Sequence, residues 1–201
     1  MPARTLVLAS GSPARLKLLR DAGIDPVVRV SGVAEDDVDP DDTRGSVGRL
    51  ARAKAEAVAR QHGNALVVGC DSMLEFDGRP HGKPATLEEA RGWLTAMRGG
   101  AGVLYTGHHV IDEATGRRAE AVVGTTVRFA VTTDAELDAY LATPDVLEVA
   151  GAFTLDGRSA PFVESIVGDP GNVIGLSLPA LRSLLGDLGV AITDLWRAGD
   201  R

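Results

Sequence analysis

Lys54 is a cation in an apolar frame. The stretch from Ser46 to His62 reads as a helix whose buried stripe is Val47, Leu50, Ala51, Ala55 and Val58. Position 54 follows Val47 by ~700° of helical rotation, which returns it to within roughly 20° of the same direction. Two uses fit a lysine there. Its stem packs while the ammonium reaches water, or the ammonium is aimed into a cleft to meet an anion. Asp71 directly follows Leu66-Val67-Val68-Gly69-Cys70. It is expected at the carboxyl end of that strand, where open α/β sheets collect their chemistry. A carboxylate so placed needs a cation or a hydrogen-bond donor; a turn or cap aspartate is the plainer reading. Gly82-Lys83-Pro84 lacks the spacing of a Walker loop, and Lys83 on its own reads as a surface charge. Ser10-Gly11-Ser12-Pro13-Ala14-Arg15 joins a first strand to a first helix. Small residues admit a ligand to the backbone, and the free N–H groups of a helix start favour an anion. A capped helix with an exposed Arg15 is the alternative. Glu35 opens an acidic run that reads first as solvated surface, yet it could join Asp71 as a hard oxygen ligand for Mg²⁺.

No Ser/His/Asp triad can be built. His108 and His109 are adjacent on a strand and point to opposite faces. His62 and His81 lack ligand-like spacing, and Trp93 reads as core.

The elements that must hold these residues alternate between strand and helix, which predicts an α/β class. Strands are expected at 6–9, 26–30, 65–70, 73–76, 103–111 and 123–131, with shorter ones at 151–155 and 162–167. Val123, Thr125, Val127, Phe129 and Val131 alternate onto one face. Ser12 with Pro13 predicts a capped helix start that runs to Gly23. Thr86-Leu87-Glu88-Glu89 and Thr133-Asp134-Ala135-Glu136 are capping-box patterns. A last substantial helix is expected over 179–188, with a further turn at 191–196. Residues 35–42 read as a loop. One domain over 1–197 with a short tail at 198–201 is the simplest organisation.

The chain has 201 residues and a formal charge of −7, which argues against a broad electrostatic grip on nucleic acid. Cys70 is the sole cysteine, so no intrachain disulfide or Cys-rich zinc site is expected. The apolar run at 6–9 is too short for a signal peptide or a membrane span. A cytoplasmic protein without a membrane partner is the expectation. The sequence leaves the oligomeric state open, a homodimer included.

Taken together, these segments resemble the Maf family of nucleotide pyrophosphatases, in order and over nearly the whole chain. Leu8 to Arg15 is similar to the family's L-A-S-x-S-P-R-R, and Ser31-Gly32-Val33-Ala34-Glu35 to its S-x-V-D-E. Ala53-Lys54-Ala55 lies on its lysine helix. Gly69-Cys70-Asp71-Ser72 resembles G-A-D-T, and Gly82-Lys83-Pro84 its G-K-P. Tyr105-Thr106-Gly107, Gly151 to Gly157, Phe162-Val163-Glu164 and Asn172 to Leu176 complete the match. The wording is most like the actinobacterial branch, which is assigned general nucleoside triphosphate pyrophosphatase activity.

The resemblance implies an elongated mixed β-sheet with flanking helices and a deep cleft between two lobes, like inosine triphosphate pyrophosphatases. It implies hydrolysis of a nucleoside triphosphate to monophosphate and pyrophosphate, assisted by Mg²⁺ or Mn²⁺. Asp71 falls on the proposed proton acceptor, with Lys54 and Lys83 beside it in the catalytic set. Glu35, with Asp71, falls on the acidic metal-binding positions. Ser10, Ser12, Arg15 and Thr106 fall on substrate- or phosphate-facing positions. Pyrimidine-selective members carry Arg, Thr and Gln where this chain has Ala14, Ser72 and Asp156. A carboxylate at Asp156 accepts hydrogen bonds and donates none, which favours guanine-type bases over thymine or uracil. The family is also associated with arrest of septum formation, so a regulator of cell division is the alternative reading.

Overall fold

The computed structural model describes residues 4–59 and 63–196. The expected tail at 198–201 and the end of the lysine helix at His62 lie outside them. Thirteen elements follow in chain order: β1 (Leu6–Leu8), α1 (Pro13–Asp21), β2 (Val27–Val28), α2 (Thr43–Ala59), β3 (Leu66–Phe76), β4 (Arg79–His81), α3 (Leu87–Met97), β5 (Ala101–Asp112), β6 (Arg118–Phe129), α4 (Asp134–Leu141), β7 (Val163–Val167), α5 (Pro170–Ile174) and α6 (Leu178–Asp187). The strands form one seven-stranded sheet in the order β2-β1-β3-β5-β6-β7, with β4 also on β3. β1 is parallel to β2 and β3, and the remaining pairs are antiparallel. This is the mixed α/β sheet expected. Among the described residues no helix is long and apolar enough to cross a membrane.

Two strands expected at 65–70 and 73–76 are one continuous strand, β3, and Asp71 sits in its middle rather than at its end. The reason is long-range pairing. β5 runs along β3 from Leu66 to Glu75 and carries the ladder through the polar pair Asp71-Ser72. The other edge of β3 is shared. β1 takes it at Leu66–Val68 and β4 at Leu74–Phe76. Residues 69–73 between them have no strand on that edge, and the chemistry collects in that gap.

The two faces of β3 are separated by its period of two. Val67 packs with Ala55 and Val58, and Met73 with Val47 and Leu50, so the odd positions face α2. Leu66, Val68 and Cys70 join Leu181, Leu184 and Leu185 of α6. Asp71 therefore faces α2, and Ser72 faces away from it.

Helix α2 lies unusually close to the sheet. A Cβ on Gly69 would stand 2.2 Å from the Ala51 carbonyl oxygen, and one on Gly107, opposite Asp71, 2.2 Å from that of Val47. Only glycine permits this approach, which brings Lys54 down onto Asp71. Gly69→Ala must push the helix away, and is expected to cost about 2–3 kcal/mol of stability. Urea unfolding measures it; an unchanged midpoint would contradict this seating of α2.

The capping signals place the helix starts. Ser12 Oγ accepts from the Arg15 amide, and Thr133 with Glu136 forms a reciprocal capping box. α2 begins at Thr43, earlier than the expected Ser46, because Asp42 Oδ1 accepts the Gly45 amide at 2.8 Å. The short strand expected at 151–155 is instead a 3-10 turn at Ala150–Ala152, where Gly151 and Ala152 both have positive φ. Val131 lies past the end of β6 and is 82% exposed.

The two adjacent histidines serve the fold. His109 Nδ1 pairs with Glu120 Oε2 at 3.0 Å. His108 Nε2 accepts the Ser177 amide at 2.9 Å, and burial pulls its pKa down to about 4. Its folded value lies below the unfolded value of about 6.5. The unfolded chain therefore takes up this proton first as the pH falls. His108 thus contributes stability above about pH 6.5 that is lost toward about pH 4, by at most roughly 3 kcal/mol. In thermal melts over that range, His108→Gln is expected to flatten the decline. Parallel curves would assign the decline to other groups.

Candidate active site

A cavity of about 1040 Å³ opens on the vacant edge of β3. Its wall includes the Ser10–Arg15 loop, Glu35, Lys54, Asp71, Ser72, Lys83, Asp156 and Gly175. Residues far apart in sequence meet here because β1 ends beside β3 and α2 crosses above.

Lys54 is at the floor. Its side chain is 7% exposed, and its Nζ donates to Asp71 Oδ1 at 2.5 Å and Glu35 Oε1 at 2.6 Å. The ammonium does not snorkel to water; it binds two carboxylates. Glu35 reaches it from a loop docked on α2. There Ser46 Oγ accepts the Asp39 amide at 2.9 Å, and Arg49 pairs with Asp37 and Asp42.

The two carboxyls respond differently to their surroundings. Burial raises the pKa of Asp71 above the ordinary carboxylate value, against the pull of Lys54 and Arg15. At Glu35, burial also pushes upward, but Lys54, Lys83 and Arg15 together outweigh it and hold the group down. A buried carboxylate with raised proton affinity beside an ionised one is an arrangement suited to general base work. The Cys70 thiol, pushed up to about 11 by burial, is no nucleophile.

Arg15 is a buried guanidinium with three fixed partners. Nε donates to the Gly175 carbonyl at 2.7 Å, and the two terminal nitrogens donate to Ser10 Oγ at 3.1 Å and Ser72 Oγ at 3.0 Å. All three acceptors are neutral. Asp71 and Glu35 feel its field, but both are hydrogen-bonded to Lys54. A buried cation answered only by neutral oxygens at a cavity wall is an anion receptor in waiting. Ser10 and Ser12 support the same loop, since Ser10 Oγ accepts the Ser12 amide at 3.2 Å.

Lys83 stands across the cavity, 53% exposed, 3.6 Å from Glu148. Its segment is anchored by the Gly151 amide, which donates to the Gly82 carbonyl at 2.9 Å. Tyr140 in turn fixes that turn through the Ala152 carbonyl at 3.0 Å.

The positions expected near the base fall as follows. Ala14 and Ser72 line the cavity, and Ser72 is bonded to Arg15 and Thr106. Asp156 lines it too, with its carboxylate accepting the Thr154 hydroxyl within its own turn. Thr106 is wholly buried and is not among the cavity-lining residues. Its Oγ1 lies 2.9 Å from Ser72 Oγ, and Ser72 does line the cavity.

Four residues that the sequence offered only as parts of motifs have structural roles here. Gly175 supplies a carbonyl, which no side-chain motif announces. Gly69 and Gly107 make room for α2, a packing role that their place in the motifs does not reveal. Asn172, 0% exposed, ties α5 to β5 and β6 through Leu104 O and Thr125 Oγ1.

Among the described residues no group of three or more His, Cys, Asp or Glu side chains could cage a metal. Glu35 and Asp71, gathered on one ammonium, offer hard carboxylate oxygens from two chain segments. That donor set has the hard-oxygen chemistry that Mg²⁺ or Mn²⁺ takes.

A family model described as Maf-like protein matches residues 5–188. A Streptomyces coelicolor protein named nucleoside triphosphate pyrophosphatase is 58% identical over 198 residues, covering 97% of this chain and 96% of its own. One of the same name from Nocardia farcinica is 53% identical over 205 residues, covering 96% and 97%. Another, from Gloeothece citriformis, is 47% identical over 191 residues, covering 95% and 97%.

Proposed function

The chain belongs to the Maf-like protein family, and from that premise we propose that it hydrolyses nucleoside triphosphates to the monophosphate and pyrophosphate. The observation that carries the reading is the composition of one cavity. It holds the unanswered buried cation Arg15, the exposed cation Lys83, and a buried carboxylate, Asp71, with raised proton affinity. A triphosphate supplies the missing negative charge, and its hydrolysis needs a base for water.

The roles follow from position. Arg15 and Lys83 hold phosphate oxygens, with the Ser10–Arg15 loop closing over them. Asp71 takes a proton from the attacking water as its oxygen forms a bond to the α-phosphorus. The bond from that phosphorus to the α,β-bridging oxygen breaks, and pyrophosphate leaves. Lys54 keeps Asp71 and Glu35 together and ionised. Glu35 and Asp71 would hold a divalent cation, which when bound supplies charge neutralisation at the phosphoryl oxygens.

The assembled base and cations favour an enzyme over a pure regulator of cell division, since a binding surface needs no such set. Asp156 at the wall supports use of guanine-type triphosphates at least as readily as dTTP or UTP. The test incubates the protein with a panel of triphosphates, with and without Mg²⁺, and resolves products by ion-exchange chromatography. Monophosphate and pyrophosphate in equal amounts are expected. Diphosphate and orthophosphate would place the attack at the γ-phosphorus and overturn the reading, as would no turnover of any triphosphate.

A further inference from the structure

A chain of hydroxyls runs behind Arg15, and its direction is forced. Thr106 Oγ1 lies 2.9 Å from the Asn172 carbonyl, which only accepts, so the single Thr106 hydroxyl proton is spent there. Thr106 Oγ1 is also 2.9 Å from Ser72 Oγ. With its own proton used, Thr106 accepts, and Ser72 must donate. That turns the lone pairs of Ser72 toward Arg15, whose terminal nitrogen donates to Ser72 at 3.0 Å.

Both ends of the chain return to one short helix. Asn172 lies in α5, and Gly175, which accepts from Arg15 Nε at 2.7 Å, is the residue that caps it. Asn172 is itself fixed by Leu104 O at 3.0 Å and Thr125 Oγ1 at 3.1 Å. The guanidinium is thus clamped in a closed ring of bonds, with α5 as its rigid side. Chains of this kind polarise one another, and each bond strengthens the next.

We infer that Thr106 is a positioning residue for the reaction: through Ser72 it orients Arg15 as a preorganised anion receptor, without touching substrate itself. The inference rests on the reading of Arg15 as an anion holder. Preorganisation matters because a guanidinium already held needs no reordering when phosphate arrives.

The test uses the full chain and inorganic pyrophosphate as probe, with binding measured by isothermal titration calorimetry. Thr106→Val keeps the volume and removes the hydroxyl, and is expected to weaken binding about tenfold. Thr106→Ser restores the hydroxyl and should restore binding. Ser72→Ala should match Thr106→Val, and the double variant should be no weaker than either alone, because both act through one chain. Wild-type binding by Thr106→Val, or by Ser72→Ala should the threonine variant not fold, overturns the inference. So do defects that multiply in the double variant, or a Thr106→Ser protein as weak as Thr106→Val. Arg15→Met that binds pyrophosphate normally would overturn the anion reading and this inference together. A wild type that binds pyrophosphate through Arg15 yet hydrolyses no triphosphate would overturn only the proposed reaction.

Discussion

Asp71→Asn is expected to fold like the wild type and to lose hydrolysis by ~10²-fold or more, the scale of a lost, positioned base. The amide keeps the shape of the carboxyl, and β3 continues through the position by its pairing with β5. Lys54 keeps Glu35 as a counter-charge at 2.6 Å. The variant therefore leaves no cation bare. On the proposed mechanism it removes the group that would receive the proton of water, and one of the two hard oxygen donors that would hold a divalent cation. Burial has raised the proton affinity of Asp71, so it is a better base than an exposed aspartate. Glu35, held in its ionised form by three cations, is a weaker base, and no histidine lines the cavity among the described residues. Initial rates of pyrophosphate release and a thermal melt on one preparation decide the matter. Near-wild-type turnover in a folded variant would take Asp71 out of the proton transfer.

Local signals carried the helices and the family motifs but not the meeting of the site. Lys54 was conspicuous because the apolar stripe of α2 surrounds it, and a helical period exposes such an exception. The resemblance grouped it with Asp71 and Glu35, but no local pattern showed that the three side chains touch. Asp71 lies seventeen residues later and Glu35 nineteen earlier, and the pairing depends on how closely α2 sits on Gly69 and Gly107. Asp71 seemed to end a strand because two polar residues interrupt an apolar run. The strand continues because Gly107 and Thr106 of β5 stand opposite, which is a fact of the sheet and not of the segment. Thr106 shows the same. The resemblance brought it to the site, and its buried contacts to Ser72 and Asn172 are long-range and could not be read from its own segment. At 151–155 the apolar run suggested a strand, and the left-handed backbone at Gly151 and Ala152 turned it instead. α5 has too few residues to show a period, yet it anchors Arg15 through Gly175.

Lys54→Met is expected to lose both stability and turnover, and to regain only stability when Asp71 is neutralised as well. A lysine that merely snorkelled could become methionine at little cost, since the stem would pack as before. The pairing changes that expectation. Removing the ammonium leaves Asp71, whose side chain is 6% exposed, as a buried charge without its partner. Breaking such a pair costs about 3 kcal/mol. The pH dependence has a defined sign. Lys54 lowers the proton affinity of Asp71, so its loss raises a folded pKa that burial has already raised above the unfolded value. A group raised on folding contributes its full stability below the unfolded pKa, and loses it as pH rises through the folded one. The deficit of the variant should therefore be small below the unfolded carboxylate pKa of about 4 and widen as the pH rises above it. Lys54→Met/Asp71→Asn should melt near the wild type at the higher pH and, on the proposed mechanism, remain inactive, because it lacks both the proposed base and its cation. Thermal melts across this range, paired with kcat/KM for a triphosphate, separate the outcomes. A single variant as stable as the wild type at the higher pH, with kcat/KM unchanged, would mean that the ammonium neither holds Asp71 nor serves the reaction.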